Sequence, residues 1–215
     1  MPGERAIALW TDLASHRRPG WWPVILGTED DERRLAESVA YCASDPAAIL
    51  ATADTLDTEA LLERWKRDNE PEDDEEWDVV GEWPDAPRPN SQFALPYNVL
   101  TKQPQLTIVA IVAVGDHAEV PAALGWGGWN SSPGPAEHVA MLRRWSERHG
   151  AQLVGLSSDV VEMKVSAPPS SRESAMTVAE EHYAYCSDIV TQGAGTISAL
   201  GATLLNAPAW YFWWD

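Results

Sequence analysis

The last six residues, 210–215, form the segment that most restricts the fold of this chain. Successive side chains of a β-strand point to opposite faces. The segment therefore presents two faces, one with Trp210, Phe212 and Trp214 and the other with Tyr211, Trp213 and Asp215. Bulky aromatic side chains on both faces require either cover on both faces or a binding surface on one. We expect a final strand buried against helices on one side and against the N-terminal part of the chain on the other.

The half of the chain before this strand shows a regular order of predicted elements. They are a strand at 106–114, a helix at 135–149, strands at 152–156 and 160–165, a helix opened by a capping box of Ser170 and Glu173, a further helix to about 205, and the strand at 210–214. The two middle strands flank Ser157-Ser158-Asp159, which predicts a hairpin. The order β-α-β-β-α-β indicates an α+β fold with a ferredoxin-like split core, in which 106–114 is a central strand and the helices cover one face.

The first 67 residues predict a helix-strand-helix extension packed on this core. Apolar residues at helical spacing indicate a helix at 4–16, which Pro19-Gly20 ends. The apolar run at 21–27 predicts a short buried strand, which either adds to the sheet or packs beside it. Thr28 is placed to cap a helix with an acidic first turn, and Thr58 is placed to open another.

Residues 68–104 predict an irregular connection between the two regions. The stretch 68–78 holds eight acidic residues and no basic one, and prolines recur from there to Pro104. A segment of this composition does not bury enough apolar surface to form its own helix or sheet. The chain is therefore expected to divide into an N-terminal region at 1–67, the acidic and proline-rich connection at 68–104 and a C-terminal α+β domain at 105–215.

The net charge of −18 excludes one class of partner and favours another. A chain this acidic repels phosphate backbones, so we expect no nucleic-acid partner, whereas a basic protein is electrostatically suitable. Cys42 and Cys186, the two cysteines, form neither a disulfide framework nor a zinc motif, and we expect no metal and no cofactor. The chain has no apolar run of about 18 residues and no signal sequence, which predicts a soluble cytoplasmic protein without a membrane anchor.

A glycine-rich loop at 125–130 is the best candidate for a binding site. Its glycines allow positive φ and close approach of a ligand, its tryptophans supply flat apolar surfaces, and the helix predicted after it presents free N–H groups to an anion. The candidate ligand-binding residues of the loop and of the first turn of this helix are Trp126, Gly128, Trp129, Asn130, Glu137 and His138. The alternative is a structural loop whose tryptophans close the core.

His182 and Cys186 are two further candidates, and they lie four residues apart on one face of the second long helix. If the two long helices pack side by side, Cys186 with His138 or with His182 would form a nucleophile and base. The alternative is that Cys186 is a small core residue, which is the commoner role of a cysteine on an apolar helix face.

Several short motifs of the C-terminal half occur together. They are Gly127-Gly128-Trp129-Asn130 followed by a proline, Glu137-His138, Leu142-Arg143-Arg144-Trp145, Glu181-His182-Tyr183 and the terminal Trp210-Tyr211-Phe212-Trp213-Trp214-Asp215. In this combination the chain from about residue 106 to 215 resembles a bacterial, actinomycete-type family of unknown function. The family pattern has a cysteine before the proline, where this chain has Ser131 and Ser132. The resemblance implies a shared fold and brings no established activity.

These observations favour a non-enzymatic protein that binds another protein. The best-motivated form is an inhibitor or immunity-type module, because an acidic surface attracts a basic toxin or nuclease and raises the association rate. The alternative is an enzyme or a small-ligand-binding protein with a pocket at the 125–130 loop.

Overall fold

A computed structural model describes residues 1–40, 45–69, 78–98 and 100–215 of the chain. The helices are Gly3–Ser15 (α1), Glu29–Ala40 (α2), Pro46–Ala53 (α3), Thr58–Asp68 (α4), Val120–Leu124 (α5), Pro135–His149 (α6), Arg172–Tyr185 (α7) and Ile197–Leu204 (α8). The strands are Trp22–Gly27 (β1), Ile108–Val112 (β2), Ala151–Leu156 (β3), Val160–Val165 (β4) and Ala209–Trp213 (β5). A 3-10 turn at His117–Glu119 precedes α5, and a π-helical turn at Ile189–Ala194 precedes α8.

The five strands form one mixed sheet in the order β2-β1-β3-β4-β5. The pair β1 and β3 is parallel, and the other neighbouring pairs are antiparallel. Helices and a mixed sheet together confirm the α+β class, and the antiparallel pairing of β3 with β4 confirms the predicted hairpin.

The prediction of a central strand at 106–114 is wrong. This segment contributes β2, which lies at the edge of the sheet, and the ferredoxin-like order is not observed. The physical reason lies in β1, whose six residues are all buried and which pairs with β2 on one side and β3 on the other. A β-branched apolar sequence specifies a strand but not its neighbours, and the N-terminal strand occupies the inner position.

Several helix boundaries follow the predicted local signals. Pro135 begins α6 at its first turn and Gly150 ends it at a φ of 56°, as the sequence indicated. The cap of α7 lies one residue later than predicted, because Ser171 and Ser174 form the box in place of Ser170 and Glu173. Helix α3 was not predicted, and Asp45 caps it by accepting a hydrogen bond from the Ala47 N–H at 3.0 Å.

Helix α5 was not predicted either. The loop at 125–130 therefore joins α5 to α6, and not a strand to a helix as predicted. Two predicted features fall on residues that the structure does not describe. These are most of the acidic run, at 70–77, and the end of the helix predicted after Thr28, around Cys42.

Both halves of the chain contribute to one main hydrophobic core. Trp10, Trp22 and Leu62 from the N-terminal region belong to the same buried cluster as Trp145 and Phe212. The side chains of β5 alternate as predicted. Trp210, Phe212 and Trp214 are buried against α6 and α7, and Tyr211 and Trp213 are half-buried on the other face. The division at 67 and 104 stays a prediction, since nothing in the fold tests it directly.

Candidate functional site

Trp126, the first tryptophan of the predicted loop, closes the core. Its side chain is fully buried, and its indole N–H donates to the Ser157 carbonyl at 2.8 Å. The ring centroids of His138 and Trp214 lie 4.5 and 5.8 Å from that of Trp126. Trp126 therefore joins the loop to α6 and to the C-terminal strand.

The glycines of the loop allow the backbone conformation of its turn. Gly127 has a φ of 119°, and a side chain there would collide with the Pro133 carbonyl and the His138 ring. Gly128 has a φ of 87° and donates its N–H to the Pro133 carbonyl at 2.8 Å. The Gly128 N–H is thus engaged within the loop and is not presented to a ligand.

His138 ties the loop to α7. One ring nitrogen lies 3.0 Å from the Ser132 hydroxyl and the other 2.5 Å from the Tyr185 hydroxyl, and all three side chains are buried. Burial lowers the pKa of His138 to about 3, against the opposing effect of a hydrogen bond to the Pro133 carbonyl. The ring is therefore neutral near pH 7, and both of its nitrogens are engaged inside the protein.

Glu137 has two contacts that are structural. Its carboxylate accepts a hydrogen bond from the Gly134 N–H at 2.9 Å, which completes a cap at the start of α6. The same carboxylate pairs with Arg64 of α4 at 2.6 Å. These contacts join α4 to α6.

The Cys186 thiol forms no hydrogen bond with His138 or His182. His182 is buried between Trp210 and Phe212, at ring distances of 4.6 Å, and its nitrogens have no hydrogen-bond partner among the described residues. The Cys186 thiol donates to the Trp213 carbonyl at 3.0 Å, and burial raises its pKa to about 12. A thiol with this pKa is not a thiolate at neutral pH, which is the form that acts as a nucleophile.

Two of the predicted residues do line a cavity. Trp129 and Asn130 border a space of about 410 Å³, together with Trp214, Asp159 and Asp215. The backbone of Asn130 has a φ of 45°, an uncommon conformation for a residue with a side chain. Glu137 and His138, predicted as ligand-binding residues with them, do not border this space.

A larger cavity, of about 680 Å³, lies elsewhere and was not predicted from the sequence. The segment 88–98 lies against β4 and β5, and the cavity lies between this segment, α8 and β5. The local signal was Glu162, an acidic residue at a buried position of β4, whose other charged residue, Lys164, is exposed. Its buried carboxylate accepts hydrogen bonds from the N–H groups of Ala94 and Leu95 and so holds the segment on the sheet.

The two edges of the sheet differ in how they are covered. At β5, the Asn90 amide donates to the Ala209 carbonyl at 3.3 Å and the Cys186 thiol donates to the Trp213 carbonyl. At the other edge, Met1 and Pro2 pair with 106–107, just before β2. Within the described part of the chain no such pairing continues along β2.

The chain belongs to the family described as Domain of unknown function (DUF4253), whose profile matches residues 108–215. The match begins at the first residue of β2 and does not include β1, the strand that separates β2 from β3. No curated protein and no solved structure matches the chain.

Two observations hold for the described residues, 1–40, 45–69, 78–98 and 100–215. In those parts of the chain, no three His, Cys, Asp or Glu side chains form a group that could hold a metal ion. None of the described helices is long and apolar enough to cross a membrane.

Proposed function

We propose that this chain is a non-enzymatic protein-binding module of the inhibitor or immunity type, and that β2 is the edge to which a partner binds. The observation that carries the proposal is the open edge of β2. Its sequence, Ile-Val-Ala-Ile-Val, contains no charge and no proline, the features that usually protect an edge strand. Ile111 is 43% exposed and Trp21, beside the start of β1, is 56% exposed.

An extended segment of a partner can add to such an edge as a further strand. Main-chain hydrogen bonds then supply affinity, and the side chains that flank the edge supply specificity. Here the flanking surface is apolar, with Ile111 and Trp21 available for contact. The mode of binding requires no catalytic group.

The charge of the chain supports a basic partner. The net charge is −18, and the first turn of α2 carries Glu29, Asp30, Asp31 and Glu32. A surface of one sign raises the rate of association with a partner of the opposite sign, and salt weakens this effect. We place this action in the cytoplasm, which fits the free thiol of Cys186.

Ile111→Lys tests the edge directly, because a charged side chain there opposes pairing with another strand. We expect the wild type to capture a basic partner from a lysate of its source cells at about 0.05 M salt and to release it at about 1 M. The variant should capture at least about tenfold less.

Val80→Lys is the matched control, since Val80 is a β-branched residue with 50% exposure outside the sheet. It should retain capture, and far-UV circular dichroism should show both variants folded. Equal capture by the Ile111 variant, or a partner that is not basic, would contradict the proposal.

The cavity beside Trp129 and Asn130 supports a second candidate, a small-ligand pocket at the predicted loop. A ligand there would contact Trp129 and Trp214 and change the tryptophan fluorescence. A panel of small molecules should then include one whose fluorescence change is lost in Asn130→Ala. If every response survives this change, the loop is not the binding site.

A further inference from the structure

The cavity of about 680 Å³ lies at the edge of the sheet opposite to β2. Its volume falls in the range of small-molecule sites, about 300–1,000 Å³. Its walls are the segment 88–98, the π-helical turn at Ile189–Ala194, α8 and β5. It is distinct from both the β2 edge and the cavity beside Trp129.

The middle of β5 is open toward this cavity. In an antiparallel pair, the N–H and C=O of one residue point to the same side, and the side alternates along the strand. The carbonyls of Ala209 and Trp213 point away from β4, because they accept hydrogen bonds from Asn90 and Cys186. Tyr211 lies between Ala209 and Trp213 in the strand, so its N–H and C=O also point away from β4. Its side chain borders the cavity.

The charged side chains that line the cavity are both basic. They are Arg88 and Lys102, and neither takes part in an ion pair with another described residue. This is unusual in a chain that has 33 acidic and 15 basic residues. The carboxylate of Glu162 lies beneath the 88–98 segment and does not border the cavity.

The remaining wall combines apolar surface with polar groups that have no partner within the described structure. Phe93, Leu200 and the Tyr211 ring supply flat or aliphatic contacts. The hydroxyl groups of Tyr97 and Tyr211 are not engaged in hydrogen bonds with described residues, so they can serve a ligand. Apolar walls with a few convergent polar groups are the usual composition of a ligand site.

We propose that this cavity binds a small anionic molecule that carries a carboxylate or a phosphate on an aromatic ring. Arg88 and Lys102 attract the anionic group at the rim, and the Tyr211 N–H is placed to donate to one of its oxygens. The aromatic ring lies between Phe93 and Tyr211. This binding is independent of the partner that we propose for β2.

Calorimetric titration of the full chain with four naphthalene probes tests this proposal. The probes are 1-naphthyl phosphate, 1-naphthoate, the neutral 1-naphthalenemethanol and the cationic 1-naphthylmethylamine. At least one anion should bind with a Kd of about 1 mM or tighter, as expected for a ligand of this size. It should bind at least about tenfold more tightly than the neutral probe, and the comparison of the two anions identifies the preferred group.

Arg88→Gln/Lys102→Gln should weaken the binding of that anion by about tenfold or more. Arg18→Gln/Arg67→Gln is the matched control, because it removes two exposed positive charges, one beside α1 and one on α4, that do not border the cavity. The control should bind like the wild type, and both double variants should keep the wild-type Tm. No binding of either anion, or equal loss in the two variants, would overturn the proposal.

Discussion

At the scale of single residues, Glu162 is the most informative side chain. It is 1% exposed, and it accepts hydrogen bonds from the N–H groups of Ala94 and Leu95. Space for this contact depends on Gly155, where an added side chain would lie 2.7 Å from the Leu95 side chain. Burial raises the pKa of Glu162 to about 7, and the two N–H donors oppose this shift only in part.

The raised pKa of Glu162 predicts how its contribution to stability depends on pH. Between the ordinary value of 4.5 and about 7, the folded chain holds a proton that the unfolded chain has released. Stability therefore falls as the pH rises through this range. Relative to Glu162→Gln, the wild type should lose about 3 kcal/mol in its free energy of unfolding between pH 4.5 and pH 8.

Urea unfolding of both proteins across this pH range measures the difference. Glu180→Gln, which changes an exposed glutamate of α7, is the control and should show no such trend relative to the wild type. If the free energies of unfolding of the wild type and Glu162→Gln differ by the same amount at every pH, Glu162 keeps its charge when folded.

At the scale of elements, an ion network with a buried centre joins α4, α6 and α7. Arg144 of α6 pairs with Glu181 of α7 at 2.6 Å and with Glu59 of α4 at 2.8 Å. Arg148 pairs with the same two carboxylates, and the Trp145 indole donates to Glu181 at 3.0 Å. The side chains of Arg144 and Glu181 are less than one-tenth exposed, so each depends on the other for compensation of its charge.

Removing Arg144 alone should lower the free energy of unfolding more than removing Arg144 and Glu181 together. Arg144→Met leaves the Glu181 carboxylate buried with weaker compensation and should destabilise the fold by about 3 kcal/mol. The double change Arg144→Met/Glu181→Met should cost clearly less, since no charge is left unpaired at the centre. Chemical denaturation of the two single variants and the double variant measures this coupling.

Arg143→Met is the control for this comparison. Arg143 also lies on α6 and pairs with Asp54 at 2.6 Å, but both side chains are at least one-third exposed. Its loss should cost less than about 1 kcal/mol. Additive effects of the Arg144 and Glu181 changes would mean that the network is not coupled.

At the scale of the whole molecule, the N-terminal strand completes the sheet of the C-terminal half. The family match covers 108–215, yet β2 and β3 within it are separated by β1. The side chains of Trp22, Val24 and Ile25 are buried in the common core. The Trp22 indole also donates to the Leu153 carbonyl of β3 at 2.9 Å. Removal of β1 therefore opens the sheet and exposes apolar surface.

A fragment of residues 105–215 should not form a stable monomer. It lacks both β1 and the 88–98 segment, so it exposes the edge of β3 that pairs with β1 and the parts of β4 and β5 that the segment contacts. Size-exclusion chromatography should show aggregates, and the near-UV circular dichroism of the tryptophans should be weaker than in the full chain. A monomeric fragment that unfolds cooperatively would contradict this expectation.

The candidate site was only partly predictable from the sequence. Trp129 and Asn130 do line a cavity, but Glu137, His138 and Cys186 are engaged in contacts inside the protein. Residue types can suggest a chemistry, but whether a polar group is free depends on what packs around it. The larger cavity depends on the path of 88–98 across the sheet, which no local pattern records.

The sequence by itself determined the elements that depend on near neighbours. Pro135 and Gly150 set the ends of α6, and the aromatic alternation of 210–214 gave both faces of β5, because these signals act within a few residues. Only the tertiary structure decided the order of the strands. The burial of β1 against residues more than a hundred positions away placed it inside the sheet and left β2 at the edge. Strand pairing depends on packing between residues that are distant in the chain, so the pattern of one strand does not predict its neighbours.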